Sequence, residues 1–288
     1  MSSTHRGIGG SRLGRGVLAG HAWLVFVFLY APIALLVVFS FSASNDATSW
    51  GGFTFAWYRD LVDNQPVKDA IGVSLRVAAI STLVSVVLGT LAALALERFR
   101  FRGRRVFDAL LSLPIIIPDV TMAVMMLLFF SSAFDAVDAV FGVELSKGVS
   151  TIVVSHVAFN ISFVSVVVRA RLSGMDASLE EAARDLYASR WQTFRHVTLP
   201  QIAPGVAGGA LLALTLSLDD VVITQFVAGA GSTTLPVYVF GLVRRGISPL
   251  INAVSVVMLV GSVVPVFGSL LLRNRRSGTI RHQPDRQL

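Results

Sequence analysis

Six stretches of the chain are almost unbroken runs of apolar residues, and the polar residues collect between them. The runs cover about 21–41, 72–96, 109–130, 149–168, 205–228 and 250–272. One bilayer crossing takes about 20 apolar residues, so each run is predicted to span a membrane. The second and fifth are long enough to tilt or to end in the interface. In lipid the backbone must satisfy its own hydrogen bonds within the segment, which favours helices over open strands. The pattern therefore predicts an all-α membrane protein with six transmembrane helices and polar tails at 1–20 and 273–288. Arg6, Arg12 and Arg15 precede the first run as they would in a signal peptide. Its roughly 20 apolar residues exceed the 7–15 of a signal core, so it is expected to remain as a span.

Composition agrees. Of 288 residues, 54% are hydrophobic and 14% charged, against roughly 25% charged in soluble domains. A soluble core and a disordered chain are both excluded. With no cysteine, a disulfide scaffold and a zinc-finger array are excluded too.

The net charge of +7 first suggests nucleic acid, but its distribution does not. Eighteen of the 24 Lys and Arg lie in the two tails and in the connections after the second and fourth spans. Positive charge stays on the cytoplasmic side, so both termini are expected in the cytoplasm. That side also meets anionic lipid, and no nucleic-acid partner is expected. On the other side, Trp50, Phe53, Phe55, Trp57 and Tyr58 suit the membrane interface, with a partner contact as the second reading.

The connection 169–204 carries its own pattern. Ser178 followed by Glu181 reads as a capping box. Leu179, Ala182, Ala183 and Leu186 then line one face of a short helix. Ser189 and Gln192 form a second box, and Trp191 and Phe194 share one side of the next helix. Pro200 is expected to stop that helix and Pro204 to open the fifth span. Periodicity leaves two readings equal: a helix pair packed on its own bundle, or one exposed to a cytoplasmic partner.

Here the sequence resembles the coupling loop of importer-type ABC transporter permeases. That pattern runs E-A-A, three residues, G, nine residues, I-x-L-P. Glu181, Ala182 and Ala183 match its start, and Val197, Leu199 and Pro200 its end, without a gap. Tyr187 stands where the family has glycine, which would ease a tight turn there. The resemblance implies a type I ABC importer permease fold in which this loop docks on the ATP-binding subunit. Glu181 and Arg184 would then make polar contacts, and Ala182 and Ala183 close-packed ones.

Within the family the chain is similar to the second permease of spermidine/putrescine systems. The similarity lies in SLDDVVITQFVAGAGSTTLPVYVFGLVRRGISPLINA from Ser217, SLPIIIPDV from Ser112 and SLRVA from Ser74. It implies import of polyamines, with iron, thiamine or aminophosphonate as the alternative cargoes. The implied partners are a pair of ATP-binding subunits, a second homologous permease forming a heterodimer, and a periplasmic substrate-binding protein. ATP would be used by the partner, with no cofactor, metal or catalytic residue on this chain. A membrane-embedded enzyme lacks support in five scattered histidines. An ion-coupled secondary transporter would need no ATPase.

Three carboxylates lie inside predicted spans: Asp119, Asp219 and Asp220, against one base, Arg76. Intramembrane acids are costly unless they face a cavity or a partner. A cation pathway is one reading. The other is structural: Asp119 caps a helix restarted after Pro114 and Pro118, and the Ser217–Asp220 stretch caps a second half-helix. His156 and Asn160, one turn apart, are expected to hydrogen-bond within the bundle rather than relay protons. GAGSTTLP from Gly229 lacks the lysine of a phosphate loop and reads as a turn.

Overall fold

The computed structural model describes residues 12–176, 178–245 and 249–278. The outer parts of both expected tails, 1–11 and 279–288, lie outside the described residues. The described chain is helical, with a single isolated bridge between Ser42 and Phe53. Five helices are long and apolar enough to cross a membrane: Gly16–Phe39, Gln65–Arg98, Asp119–Phe141, Val149–Ser173 and Arg190–Asp219. This is the multi-pass α-helical architecture the hydropathy pattern predicts.

The chain divides into two compact units. Of the described residues, the first holds 12–63, 245 and 249–257. In it α1 (Arg12–Phe39) leads to an irregular segment and a short α2 (Ala56–Asp63). The segment is held by its small hydroxyls. Ser42 Oγ donates to Ser49 O at 2.8 Å and accepts from Gly51 N at 3.0 Å, while Trp57 Nε1 donates to Ser42 O at 2.8 Å. Phe41 packs against Phe53, Phe55 and Tyr58 with ring centres 5.1–5.5 Å apart. Of the expected interfacial aromatics, Phe53, Phe55 and Tyr58 thus form a cluster with Phe41.

Of the described residues, the second unit holds 64–176, 178–244 and 258–278. Its elements are α3 (Gln65–Arg98), α4 (Arg104–Ile116), α5 (Asp119–Phe141), α6 (Val149–Ser173), α7 (Ser178–Asp185), α8 (Arg190–Thr193), α9 (Leu199–Asp219), α10 (Val222–Val227) and α11 (Leu235–Arg245). The last helix, α12 (Pro249–Gly278), carries the sixth expected span. Helices α3, α6 and α9 pack on one another, and α5 packs on α10.

Small residues set that packing. Ser81, Ser85, Gly89 and Ala93 repeat every four residues along the buried face of α3. A Cβ on Gly89 would lie 2.8 Å from the Val164 side chain and 2.9 Å from the Ile161 carbonyl. One on Gly205 of α9 would lie 2.9 Å from Arg171 Cβ. In a membrane, where lipid is as apolar as leucine, such close backbone approach supplies the dispersion energy that holds helices together.

Two expected spans are not continuous. The third, 109–130, is split into α4 and α5. Proline at 118 disfavours the α conformation in the residue before it, and Ile117 is extended (φ −74°, ψ 132°). The crossing-length helix is therefore Asp119–Phe141. The fifth breaks at Asp220 (φ −68°, ψ 124°) and restarts as α10.

Pro200 does not stop a helix, contrary to expectation. Helix runs from Arg190 to Asp219 through a π turn at Phe194–Thr198. Leu199 N bonds Phe194 O across this widened turn. The wide turn absorbs the missing N–H and the ring of Pro200, which sits in the first turn of α9. The connection between α6 and α9 is accordingly 174–198, shorter at both ends than the expected 169–204.

Candidate functional site

Two groupings merit description: the α7–α8 projection, and a buried polar cluster at the α9–α10 break.

Helix α7 starts at Ser178, so Ser178 is a first-turn residue and not the expected cap. Its backbone N–H donates to Asp176 Oδ1 at 2.9 Å. Hydrogen bonds from the Ser178 side chain and backbone hold the Asp176 carboxyl below its ordinary range. The second box forms as predicted. Gln192 N donates to Ser189 Oγ at 3.3 Å, and Ser189 N donates to Gln192 Oε1 at 2.8 Å.

Between the two helices, Tyr187 adopts φ +60°, the left-handed region that favours glycine. Tyr187 N bonds Arg184 O at 2.9 Å and Ala188 N bonds Ala183 O at 3.1 Å. This is the Schellman pair that ends a helix tightly. The turn that the family glycine eases is therefore made here with a tyrosine. Its side chain is almost wholly free, the residue being 97% exposed.

The amphipathic face of α7 is turned away from this chain. Leu179 is 48% and Leu186 81% exposed, and Glu181 and Ala182 are also exposed, with Ala183 half-buried. Trp191 is exposed and stacks at 5.7 Å on Phe194. Leu199 and Pro200 lie exposed at the start of α9. The buried residue of α7 is instead Glu180, at 7%. Its Oε1 accepts from Arg98 Nη2 at 2.6 Å and from Thr198 Oγ1 at 2.7 Å. Helical periodicity ranks Glu180 as a solvated residue. Arg98 is 82 positions away, so no local signal points to the pair.

The second grouping centres on His156, fully buried on α6. Its Nδ1 lies 2.7 Å from Ser217 Oγ, and its Nε2 lies 3.0 Å from Thr224 Oγ1 and 3.2 Å from Asp220 Oδ2. A contact with the carboxylate needs the proton on Nε2. Ser217 Oγ is in turn 3.0 Å from Ser81 Oγ. Asp220 accepts from Thr224 N and Thr224 Oγ1, both at 2.7 Å, and from Ile223 N at 3.3 Å. It thus caps α10. One imidazole bridges α9 and α10. Asn160 Nδ2 donates to Ala213 O at 3.4 Å. Both expected bundle hydrogen-bonders are so engaged.

Of the three predicted carboxylates, Asp220 alone joins these contacts. Asp219, the last residue of α9, is exposed. Asp119 is the exposed first residue of α5 and makes no side-chain cap bond; its charge lies at the favourable end of the helix dipole. An apolar groove of about 560 Å³ between α3, α4 and α6 is lined by none of the three.

Comparison with known proteins places these features. The family described as binding-protein-dependent transport system inner membrane component matches residues 85–277, which include the projection and all of the polar cluster but Ser81. The putrescine transport system permease protein PotI of Escherichia coli K12 is 43% identical over 237 residues, covering 82% of this chain and 83% of PotI. The spermidine/putrescine transport system permease protein PotC of the same organism is 37% identical over 267 residues, covering 92% of this chain and 97% of PotC. In fold, the chain is similar to one from a bacterial ABC transporter that imports alginate, with a TM-score of 0.73, 20% identity and coverage of 94% and 96%. The chain belongs to the family of binding-protein-dependent transport system inner membrane components: it is a multi-pass, non-enzymatic transport subunit of the inner membrane.

Proposed function

We propose that the chain is one of two permease subunits of an ATP-driven importer of polyamines, working by alternating access. Six spans, with α12 as the sixth, put both termini in the cytoplasm. A tail at 1–20 precedes the six-span domain of 21–272, and a tail at 273–288 follows it. A second homologous permease completes the pathway, a periplasmic binding protein delivers cargo, and a pair of ATP-binding subunits hydrolyses ATP.

The observation that carries this reading is the uncovered apolar face of α7. A helix that buries its glutamate and exposes Leu179 and Leu186 is built for a partner. In the proposed complex Glu181, Ala182, Ala183, Arg184, Tyr187, Leu199 and Pro200 meet the ATP-binding subunit. The small alanines allow close approach, and Arg184 offers charge. The cargo rests on the polyamines named for PotI and PotC. The membrane carboxylates support a cation. Asp219 and Asp119, both exposed, offer charge to the pathway, while Asp220 sets the break through which α9 gives way to α10.

Uptake of labelled putrescine, with spermidine, ferric iron and aminophosphonate as competitors, tests the cargo. Competition by spermidine alone is expected, and competition by iron or aminophosphonate without it rejects polyamines. Replacing Asp219 by Asn at constant membrane expression is expected to lower putrescine uptake roughly tenfold, the scale of one hydrogen bond to a charged group. Unchanged uptake in both Asp219→Asn and Asp220→Asn removes the pair from the pathway.

A further inference from the structure

The ends of four helices meet in a band of alternating charge. Asp108 of α4 accepts from Arg169 Nη1 of α6 at 2.6 Å, and Arg169 Nε donates to Glu97 of α3 at 3.0 Å. The next residue, Arg98, closes α3 and reaches Glu180 of α7 at 2.6 Å. Glu180 Oε2 lies 3.8 Å from Arg184. Adjacent residues of one helix end thus pair in opposite senses, Glu97 with Arg169 of α6 and Arg98 with Glu180 of the projection.

Glu180 is the unusual member. Burying a carboxylate is costly unless charge and hydrogen bonds compensate it, and an apolar residue would pack α7 more cheaply. Here the compensation comes from two other elements. Arg98 ends α3, and Thr198 lies in the π turn that runs directly into α9. Both α3 and α9 cross the second unit and pack on α6. Two short, directional bonds to one carboxylate oxygen cannot slide as an apolar contact can.

We infer that Glu180 is a positioning residue that locks α7 to the ends of α3 and α9, so that displacement of α7 moves those two helices together. The inference rests on the reading of α7 as the docking helix for the ATP-binding subunit. It assigns Glu180 and Arg98 to transmission, and leaves Glu181 and Arg184 to the docking surface.

The test uses the assembled transporter in lipid vesicles, with putrescine taken up per ATP hydrolysed as the readout. Glu180→Gln keeps the shape, and Arg98→Gln changes the partner, which is partly exposed. Each is expected to lower putrescine per ATP at least about fivefold, the scale of coupling between contacting charges, while the ATPase still co-purifies. Because both remove the same contact, the double variant is expected to fall no further, and Arg98→Lys to keep at least about half of the wild-type ratio. Unchanged putrescine per ATP in both single variants, or additive losses in the double, overturns the inference. Loss of the ATPase from Glu180→Gln or Arg98→Gln makes the pair part of docking and also overturns it. An ATPase absent from the wild-type complex overturns the reading beneath it.

Discussion

Tyr187 shows how one residue carries a local cost for a shape. A left-handed conformation costs a non-glycine residue roughly 1–2 kcal/mol, part of which glycine would lose again as chain entropy. Tyr187→Gly is therefore expected to tighten the α7–α8 turn by about 0.5–1 kcal/mol. Slower hydrogen exchange at residues 187–190 would register this. A ring 97% exposed adds no compensating contact within the chain. Asp176 gives the start of α7 a pH dependence. Its carboxyl is held below the ordinary value by Ser178, so the unfolded state binds the proton more readily. The contribution is complete above the ordinary carboxylate range and is lost as pH falls through the lowered value. Amide protection at the start of α7 should drop on acidification below about pH 4, and Asp176→Asn should abolish the difference. His156 is the costliest single deletion. His156→Ala leaves Ser217 and Asp220 without their shared partner and opens a cavity, for roughly 3 kcal/mol. A clear fall in melting temperature in detergent is expected.

At the level of elements, helices here are joined by what their side chains leave out. Gly89 lets α3 approach α6 until a Cβ would touch both a side chain and a carbonyl. Gly89→Leu adds four carbons where none fits, and is expected to cost at least about 1–3 kcal/mol by overpacking. A control of similar chemistry is Leu88→Ile, on the exposed side of the same helix, which should be neutral. Parallel melting curves of the two variants would check this. Breaks are placed as deliberately as contacts. Pro118 divides α4 from α5, whereas Pro200 is absorbed by the π turn at Phe194–Thr198. The same residue type ends one helix and sits in the first turn of another, where a widened turn lies just upstream.

For the whole molecule, the testable quantity is orientation. The chain contains no cysteine, so single replacements report cleanly. With the proposed topology, Tyr187→Cys is expected to react with a membrane-impermeant thiol reagent only from the cytoplasmic face, and Trp50→Cys only from outside. Both positions are exposed, so a blocked reaction reports sidedness and not burial. Labelling of both from the same face would reject the proposed arrangement of spans. Positive charge confined to one set of connections is the physical reason to expect opposite faces.

By itself the sequence determined the membrane class and the helical architecture. Lipid imposes a length and an apolar composition on each crossing, and both are local properties. It also marked the projection, since the 3.6-residue period of α7 and the Ser189–Gln192 box are local as well. The motif around Glu181 to Pro200 and the oddity of Tyr187 stand in the chain as read. Only the tertiary structure decided which face of α7 is covered, that Glu180 rather than Leu179 turns inward, and that Asp220 is engaged while Asp219 is free. Those outcomes depend on Arg98, Thr198 and His156, which approach from 82, 18 and 64 positions away. A polar residue's role in a low-dielectric interior is set by the partner that meets it, and no window of sequence contains that partner.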